Sequence, residues 1–169
     1  CMRPPSTEGL WLCSYYLTQD RPDFPFCSKE LRQTMARPRV GDEVAVKRAV
    51  RYLSRYPTGT LLYRWQESPS AILTYTDTDW GGCQKTRRST SGGLLMLGDH
   101  LITFWSRTQQ TVALSSCESE VNALIKGGVE GLGLKIMISQ CGGDLGLDLK
   151  TDASAAQGLC ARSGSGRVK

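Results

Sequence analysis

A chain of 169 residues can bury one core of average size, or a small domain with an appended segment, and is too short for two large domains. With 40% hydrophobic and 22% charged residues it has the composition of an ordinary globular chain, and no apolar run nears the roughly 20 residues that span a bilayer, so no membrane partner is expected. Lys and Arg outnumber Asp and Glu by 21 to 16, a net charge of +5 that permits nucleic-acid binding without requiring it. Seven cysteines with no C-x-x-C pair argue against a zinc site or a disulfide framework. The opening Cys1-Met-Arg-Pro-Pro lacks the apolar core of a secretory signal, so secretion is not expected. Its start and its end at Lys169 read as a piece cut from a longer polypeptide.

In chain order, residues 1–38 are punctuated by Pro4, Pro5, Pro22, Pro25 and Pro38, with a short helical patch over Ser28–Met35 that Ser28 can cap. A clear amphipathic helix follows from Gly41 to Tyr56, with Asp42 and Glu43 in its first turn and Pro57 beyond its end. Its apolar stripe is Val46, Ala49, Val50 and Leu53, and Lys47, Arg48, Arg51 and Arg55 lie on the other side. Those four are either a solvated face or a strip that tracks phosphates. Past a turn at Pro57-Thr58-Gly59 and the run Thr60–Trp65, strands are predicted over Ala71–Thr76, Gly92–Leu97 and Leu101–Ser106, the last two joined by a tight turn at Gly98-Asp99-His100. His100, the only histidine, reads as a solvated turn residue.

Ser115-Ser116-Cys117-Glu118 opens a helix by a capping-box signature, Ser at the N-cap and Glu at N3. The helix continues through Val121, Leu124 and Ile125 and then meets Gly127, Gly128, Gly131 and Gly133. Each interior Gly costs about 1 kcal/mol relative to Ala, so its second half is expected to be kinked or poorly stable. The glycines do not fit G-x-G-x-x-G and no strand precedes them, which argues against a nucleotide loop. Leu147–Thr151 reads as a strand, Ala153–Ala161 as a helix, and Ser163–Gly166 as a loop leading to Arg167 and Lys169. Three strands joined by tight turns are antiparallel, and the fourth, reached through a helix, is expected parallel to the strand it joins: a mixed-sheet α/β layer.

Asp77 and Asp152 each follow an apolar strand at its C-terminal end, the edge where ligands bind in open α/β sheets. If the first and fourth strands are parallel neighbours, roughly 4.8 Å apart, the two acids come close. Glu120 sits on the first turn of the intervening helix, and because residues two apart on a helix point about 200° apart, the capping residue Glu118 cannot share its face. Three like charges on an apolar scaffold repel unless a cation compensates, and the cation that suits carboxylate oxygens is Mg²⁺, with Mn²⁺ as an alternative. Two such ions can clamp the attacking and leaving oxygens of a phosphodiester. Asp79, beside Trp80-Gly81-Gly82, reads as turn chemistry, and Trp80 and Trp105 as packing residues, with sugar stacking as the alternative.

Tyr75-Thr-Asp-Thr-Asp-Trp-Gly-Gly-Cys, Arg87-Arg-Ser-Thr-Ser-Gly-Gly, Phe104-Trp-Ser-Arg-Thr-Gln-Gln-Thr-Val-Ala-Leu-Ser-Ser-Cys-Glu-Ser-Glu-Val-Asn-Ala-Leu and Thr151-Asp-Ala-Ser-Ala-Ala together resemble the ribonuclease H domain of copia-type LTR retrotransposon Pol polyproteins. Gln19-Asp-Arg-Pro-Asp-Phe resembles the end of the reverse transcriptase, and Ala45-Val-Lys-Arg-Ala-Val-Arg-Tyr-Leu the helix that links it to ribonuclease H. The resemblance implies residues 1–66 as the end of the reverse transcriptase with its connecting helix. It implies residues 67–169 as a ribonuclease H-like domain, incomplete at its C-terminus because the family's fourth acid and the basic segment before it do not occur by Lys169. It further implies Asp77, Glu120 and Asp152 as catalytic and metal-holding residues, hydrolysis of the RNA strand of RNA/DNA hybrids during reverse transcription, the remaining polyprotein as partner, and a cytoplasmic virus-like particle, with the nucleus as alternative. Arg87, Arg88 and the Lys47, Arg48, Arg51, Arg55 strip are the nucleic-acid-binding candidates. The competing reading is an inert nucleic-acid-binding or structural remnant of such a polyprotein.

Overall fold

The computed structural model describes residues 16–35 and 37–161, in two compact units, Cys1–Leu61 and Leu62–Lys169. The expected loop Ser163–Gly166 and the ending at Arg167 and Lys169 lie outside the described residues.

In the first unit, α1 spans Pro25–Arg32 and α2 spans Val40–Arg55. The start of α1 falls three residues before the expected Ser28, because Pro25 presets the helical φ at a position whose N–H has no intrahelical partner anyway. Ser28 is buried mid-helix instead of capping. The chain leaves α1 through tightened i→i−3 bonds, Gln33 N–H to Glu30 O, Thr34 N–H to Leu31 O and Met35 N–H to Arg32 O. The N-terminus of α2 is closed by Asp42, whose carboxylate accepts the Arg39 N–H at 2.8 Å. Phe24, Leu31, Val46 and Ala49 form the core, with Leu17, Cys27 and Leu53 packed on it. Val50, expected in the stripe, is exposed instead, since 46, 49 and 53 already fill the inward face. Beside this core Asp23 accepts two hydrogen bonds from Arg21, at 2.9 and 2.7 Å, and one from the Tyr52 hydroxyl at 2.5 Å.

The second unit is a four-stranded sheet, β1 Ala71–Asp79, β2 Thr90–Leu97, β3 His100–Thr108 and β4 Gly146–Lys150, in the order β3-β2-β1-β4. β1, β2 and β3 pair antiparallel and β4 runs parallel to β1, joined through α3, Ser116–Gln140; α4, Ser154–Cys160, follows β4. This is the expected ribonuclease H-like mixed sheet flanked by helices. The β2–β3 turn reverses at Gly98, whose φ of +59° suits the first central position of a two-residue hairpin. The Gln66 side chain fills the space where a Cβ on Gly98 would stand. His100 is correspondingly more than a solvated turn residue. Its Nε2 meets Arg64 O at 2.7 Å and its Nδ1 meets Gln66 Nε2 at 3.2 Å, which pins the preceding irregular segment to the hairpin.

The core of this unit is Ile72, Leu95 and Trp105, backed by Leu97, Leu134, Ile138, Leu145 and Leu147. Trp105 packs its indole over Gly93, its cross-strand partner, as expected for a packing tryptophan. Trp80 instead is half exposed, tethered by its indole N–H to Ala113 O at 3.1 Å. The glycines do not interrupt the helix: α3 runs unbroken for 25 residues. The reason is close approach. A Cβ at Gly127 would lie 2.6 Å from Thr76 Cγ2, and one at Gly131 would lie 2.5 Å from Leu147 Cδ1, so these glycines let the helix seat on the sheet and packing offsets their poor propensity. Its opposite side leaves Ile125, Val129, Leu132 and Ile136 exposed. No helix among the described residues is long and apolar enough to cross a membrane.

Candidate metal centre

Period-2 alternation along β1 sends Ile72, Thr74 and Thr76 inward as buried residues, with the half-buried Thr78 next in phase, and turns Tyr75 and Asp77 out as exposed ones. Asp77 lies inside β1, paired with Gly92, because the strand extends three residues beyond the expected Thr76. β4 ends at Lys150, opposite Tyr75, and Asp152 follows two residues later in the chain, as Asp77 follows Tyr75. The Gln157 side chain holds the intervening turn by donating to Thr151 O at 2.5 Å.

The third acid comes from α3. Ser115 caps it, accepting the Glu118 N–H at 3.2 Å, while the Glu118 carboxylate accepts the Leu114 N–H at 2.8 Å, one residue before the reciprocal partner of a capping box. Glu118 is therefore occupied outside the site, as expected. Glu120, which opens the second turn, is only 8% exposed, and its Oε1 accepts a hydrogen bond from the Thr78 hydroxyl at 2.6 Å.

One carboxylate oxygen from each of Asp77, Glu120 and Asp152 lies within 4.8 Å of the other two. The donor set suits a hard divalent cation. Two observations on the chain itself fit such an ion: Glu120 Oε2 is buried without a hydrogen-bond partner, and no Lys or Arg among the described residues forms an ion pair with any of the three acids. A buried, unpartnered carboxylate oxygen is costly unless something positive meets it.

The exposed Arg87 and Arg88 belong to the loop of residues 80–89, which leaves the same end of β1 that carries Asp77. That loop folds on itself through Arg87 N–H to Cys83 O at 2.7 Å and Cys83 N–H to Arg88 O at 3.2 Å, with Arg87 in the left-handed region at φ +56°. Asp79 accepts the Gly82 N–H on its backbone oxygen at 3.4 Å, in keeping with turn chemistry. Lys47, Arg48, Arg51 and Arg55 are all exposed along one side of α2, in the other unit. None of the described cysteines, Cys27, Cys83, Cys117, Cys141 and Cys160, is in a disulfide.

Sequence reading missed the polar residues behind the acids. Ser119 Oγ donates to Ser116 O at 2.7 Å and contacts Thr78 Oγ1 at 3.1 Å, and the buried Gln109 donates to Ser91 Oγ at 2.8 Å and to Ser119 O at 2.9 Å. The run Thr74-x-Thr76-x-Thr78 was the available signal, since hydroxyls at period 2 share one face.

Fold and site define an α/β protein with a ribonuclease H-like mixed sheet that gathers three carboxylates at one edge. The chain is 38% identical over 112 residues to the uncharacterized mitochondrial protein AtMg00810 of Arabidopsis thaliana, a match that covers 64% of this chain and 45% of that one. It is 33% identical over 132 residues to the secreted RxLR effector protein 161 of Plasmopara viticola, covering 78% of this chain and 92% of that protein. It is also 31% identical over 121 residues to the retrovirus-related Pol polyprotein from transposon RE1 of Arabidopsis thaliana, covering 72% of this chain but 8% of the polyprotein. The chain belongs to the family represented by the Plasmopara protein, and it is distantly similar to a short region of copia-type retrotransposon Pol polyproteins. It spans less than half the length of AtMg00810. No family model and no solved structure matches it.

Proposed function

We propose that this chain is the ribonuclease H region of a copia-type Pol polyprotein, together with the end of the reverse transcriptase. Its activity is metal-dependent cleavage of the RNA strand of RNA/DNA hybrids during reverse transcription. The observation that carries this reading is the meeting of carboxylate oxygens of Asp77, Glu120 and Asp152 within 4.8 Å at one sheet edge, where the Glu120 side chain keeps one buried, unpartnered oxygen. The three carboxylates would hold Mg²⁺, or Mn²⁺ in its place, as a pair of ions. When bound, the metal supplies Lewis acidity that activates water and stabilises charge on the 3′-oxygen leaving group.

The chain's own residues do the rest. Glu120 is the buried anchor, fixed by Thr78, while Asp77 and Asp152 are exposed and face an approaching phosphodiester. The Thr78 N–H donates to Asp77 Oδ1 at 2.7 Å, which fixes that carboxylate against its own backbone. Arg87 and Arg88, on the same edge, contact backbone phosphates, and the Lys47, Arg48, Arg51, Arg55 strip binds nucleic acid as well. Hybrid selectivity comes from helix shape and 2′-hydroxyl contacts rather than base reading. The remaining polyprotein is the partner and the cytoplasmic particle the place of action.

The test is a Mg²⁺ titration of hybrid cleavage by the purified chain, beside Asp77→Asn and Asp152→Asn. Loss of several kcal/mol of charge stabilisation corresponds to a rate drop of more than about 100-fold in either variant. Equal residual activity in all three proteins removes the assignment. Salt-sensitive hybrid binding with no cleavage in Mg²⁺ or Mn²⁺ returns the inert nucleic-acid-binding module instead.

A further inference from the structure

We infer that Thr78 is a positioning residue of the carboxylate cluster: its hydroxyl sets the Glu120 side chain so that one oxygen is spent on the protein and the other is left for a cation. The inference rests on the three acids being a cation site, and it adds a residue that neither metal chemistry nor charge would select.

A threonine hydroxyl has one proton. The Thr78 proton goes to Glu120 Oε1 at 2.6 Å, in the range of a short charge-assisted bond. The Ser119 proton goes to Ser116 O at 2.7 Å, so Ser119 Oγ turns lone pairs rather than a proton toward Thr78, in contact at 3.1 Å. With both protons spent elsewhere, that contact is packing alone, and the Thr78 proton stays on Glu120. Ser119 is itself fully buried, and its backbone oxygen is tied by Gln109 to Ser91, the cross-strand partner of Thr78. The brace therefore joins β1, β2 and the first turns of α3, and the Glu120 carboxylate cannot swing without breaking it. Glu120 Oε2 remains buried and unpartnered. A partner that orients a metal-holding carboxylate in this way typically changes metal affinity 10- to 100-fold when removed.

The experiment is Mn²⁺ binding to the full chain without nucleic acid, read by electron paramagnetic resonance of the free ion, together with the melting temperature of the metal-free protein. Thr78→Val keeps the shape and removes the hydroxyl; it is expected to weaken Mn²⁺ binding at least about tenfold. Thr78→Ser restores the hydroxyl and is expected to bind within about threefold of wild type. If Thr78→Val does not fold, Thr78→Ala takes its place in the comparison. Wild-type affinity in the folded hydroxyl-less variant overturns the role of Thr78, as does equal weakening by Thr78→Ser. If Asp77→Asn abolishes binding while Thr78→Val leaves it intact, Thr78 loses its role and the cation site stands. If wild type and Asp77→Asn bind Mn²⁺ alike, the cation site falls and the role of Thr78 with it.

Discussion

At the scale of single residues, two carboxylates in this molecule have opposite solutions to the same problem. Glu120 is buried with one oxygen satisfied and one orphaned, which leaves a place for a cation. Asp23 is saturated by protein donors: both oxygens accept from Arg21 and one also from Tyr52, and this pairing with Arg21 holds its carboxyl well below the usual carboxylate range. The same bonds raise the Arg21 guanidinium and the Tyr52 hydroxyl above their ordinary values. Because the folded-state value of Asp23 lies below the unfolded one, its contribution is fully present above about pH 4 and is lost as the pH falls below that range. Urea midpoints at pH 6 and pH 3 are expected to differ less in Asp23→Asn than in wild type, with the variant less stable at pH 6. An unchanged difference contradicts the pairing.

At the scale of elements, α3 shows how a sheet can carry a helix of weak propensity. Replacing Gly127 by Ala gains about 1 kcal/mol of helix propensity. It also drives a methyl toward Thr76 Cγ2 and Thr74 Cγ2, at 2.6 and 3.0 Å, and these β-branched side chains cannot turn away. Overpacking of that kind costs about 1–3 kcal/mol, so Gly127→Ala is expected to destabilise. Gly133 has nothing within 4 Å of an added Cβ, and Gly133→Ala is expected to stabilise by about 1 kcal/mol. Shifts of opposite sign in the denaturant midpoint, downward for Gly127→Ala and upward for Gly133→Ala, are the expected result. The strand and helix types along residues 71–160 were legible from periodicity and turn residues. The unbroken path of α3 was not, because glycine's penalty is local and its compensation comes from Thr74, Thr76 and Leu147, remote in sequence.

At the scale of the whole molecule, the parallel pairing of β4 with β1 is what turns separate acids into a site. Parallel pairing brings the chain past β4 alongside the end of β1, and α3, which precedes β4 in sequence, delivers Glu120 to the same edge, so that oxygens of Asp77, Glu120 and Asp152 meet. A cation bound there binds the folded state alone and must stabilise it by mass action. At about 100 times its dissociation constant, Mg²⁺ is expected to add roughly 2.7 kcal/mol to wild type and almost nothing to Asp77→Asn, read as the shift in melting temperature on adding the ion. Equal shifts in both proteins contradict binding at the cluster.

By itself, the sequence determined the alternation of strands, the amphipathic face of α2, the Ser115 cap and the placing of acids near strand ends, because each depends on neighbours within a few residues. Tertiary structure alone decided that Glu120 is buried against Thr78, that Gly127 and Gly131 are contact points rather than breaks, and that His100 clasps residues 64 and 66. Those outcomes depend on which side chains from distant parts of the chain compete for the same space and the same protons. That competition exists only once the sheet is assembled.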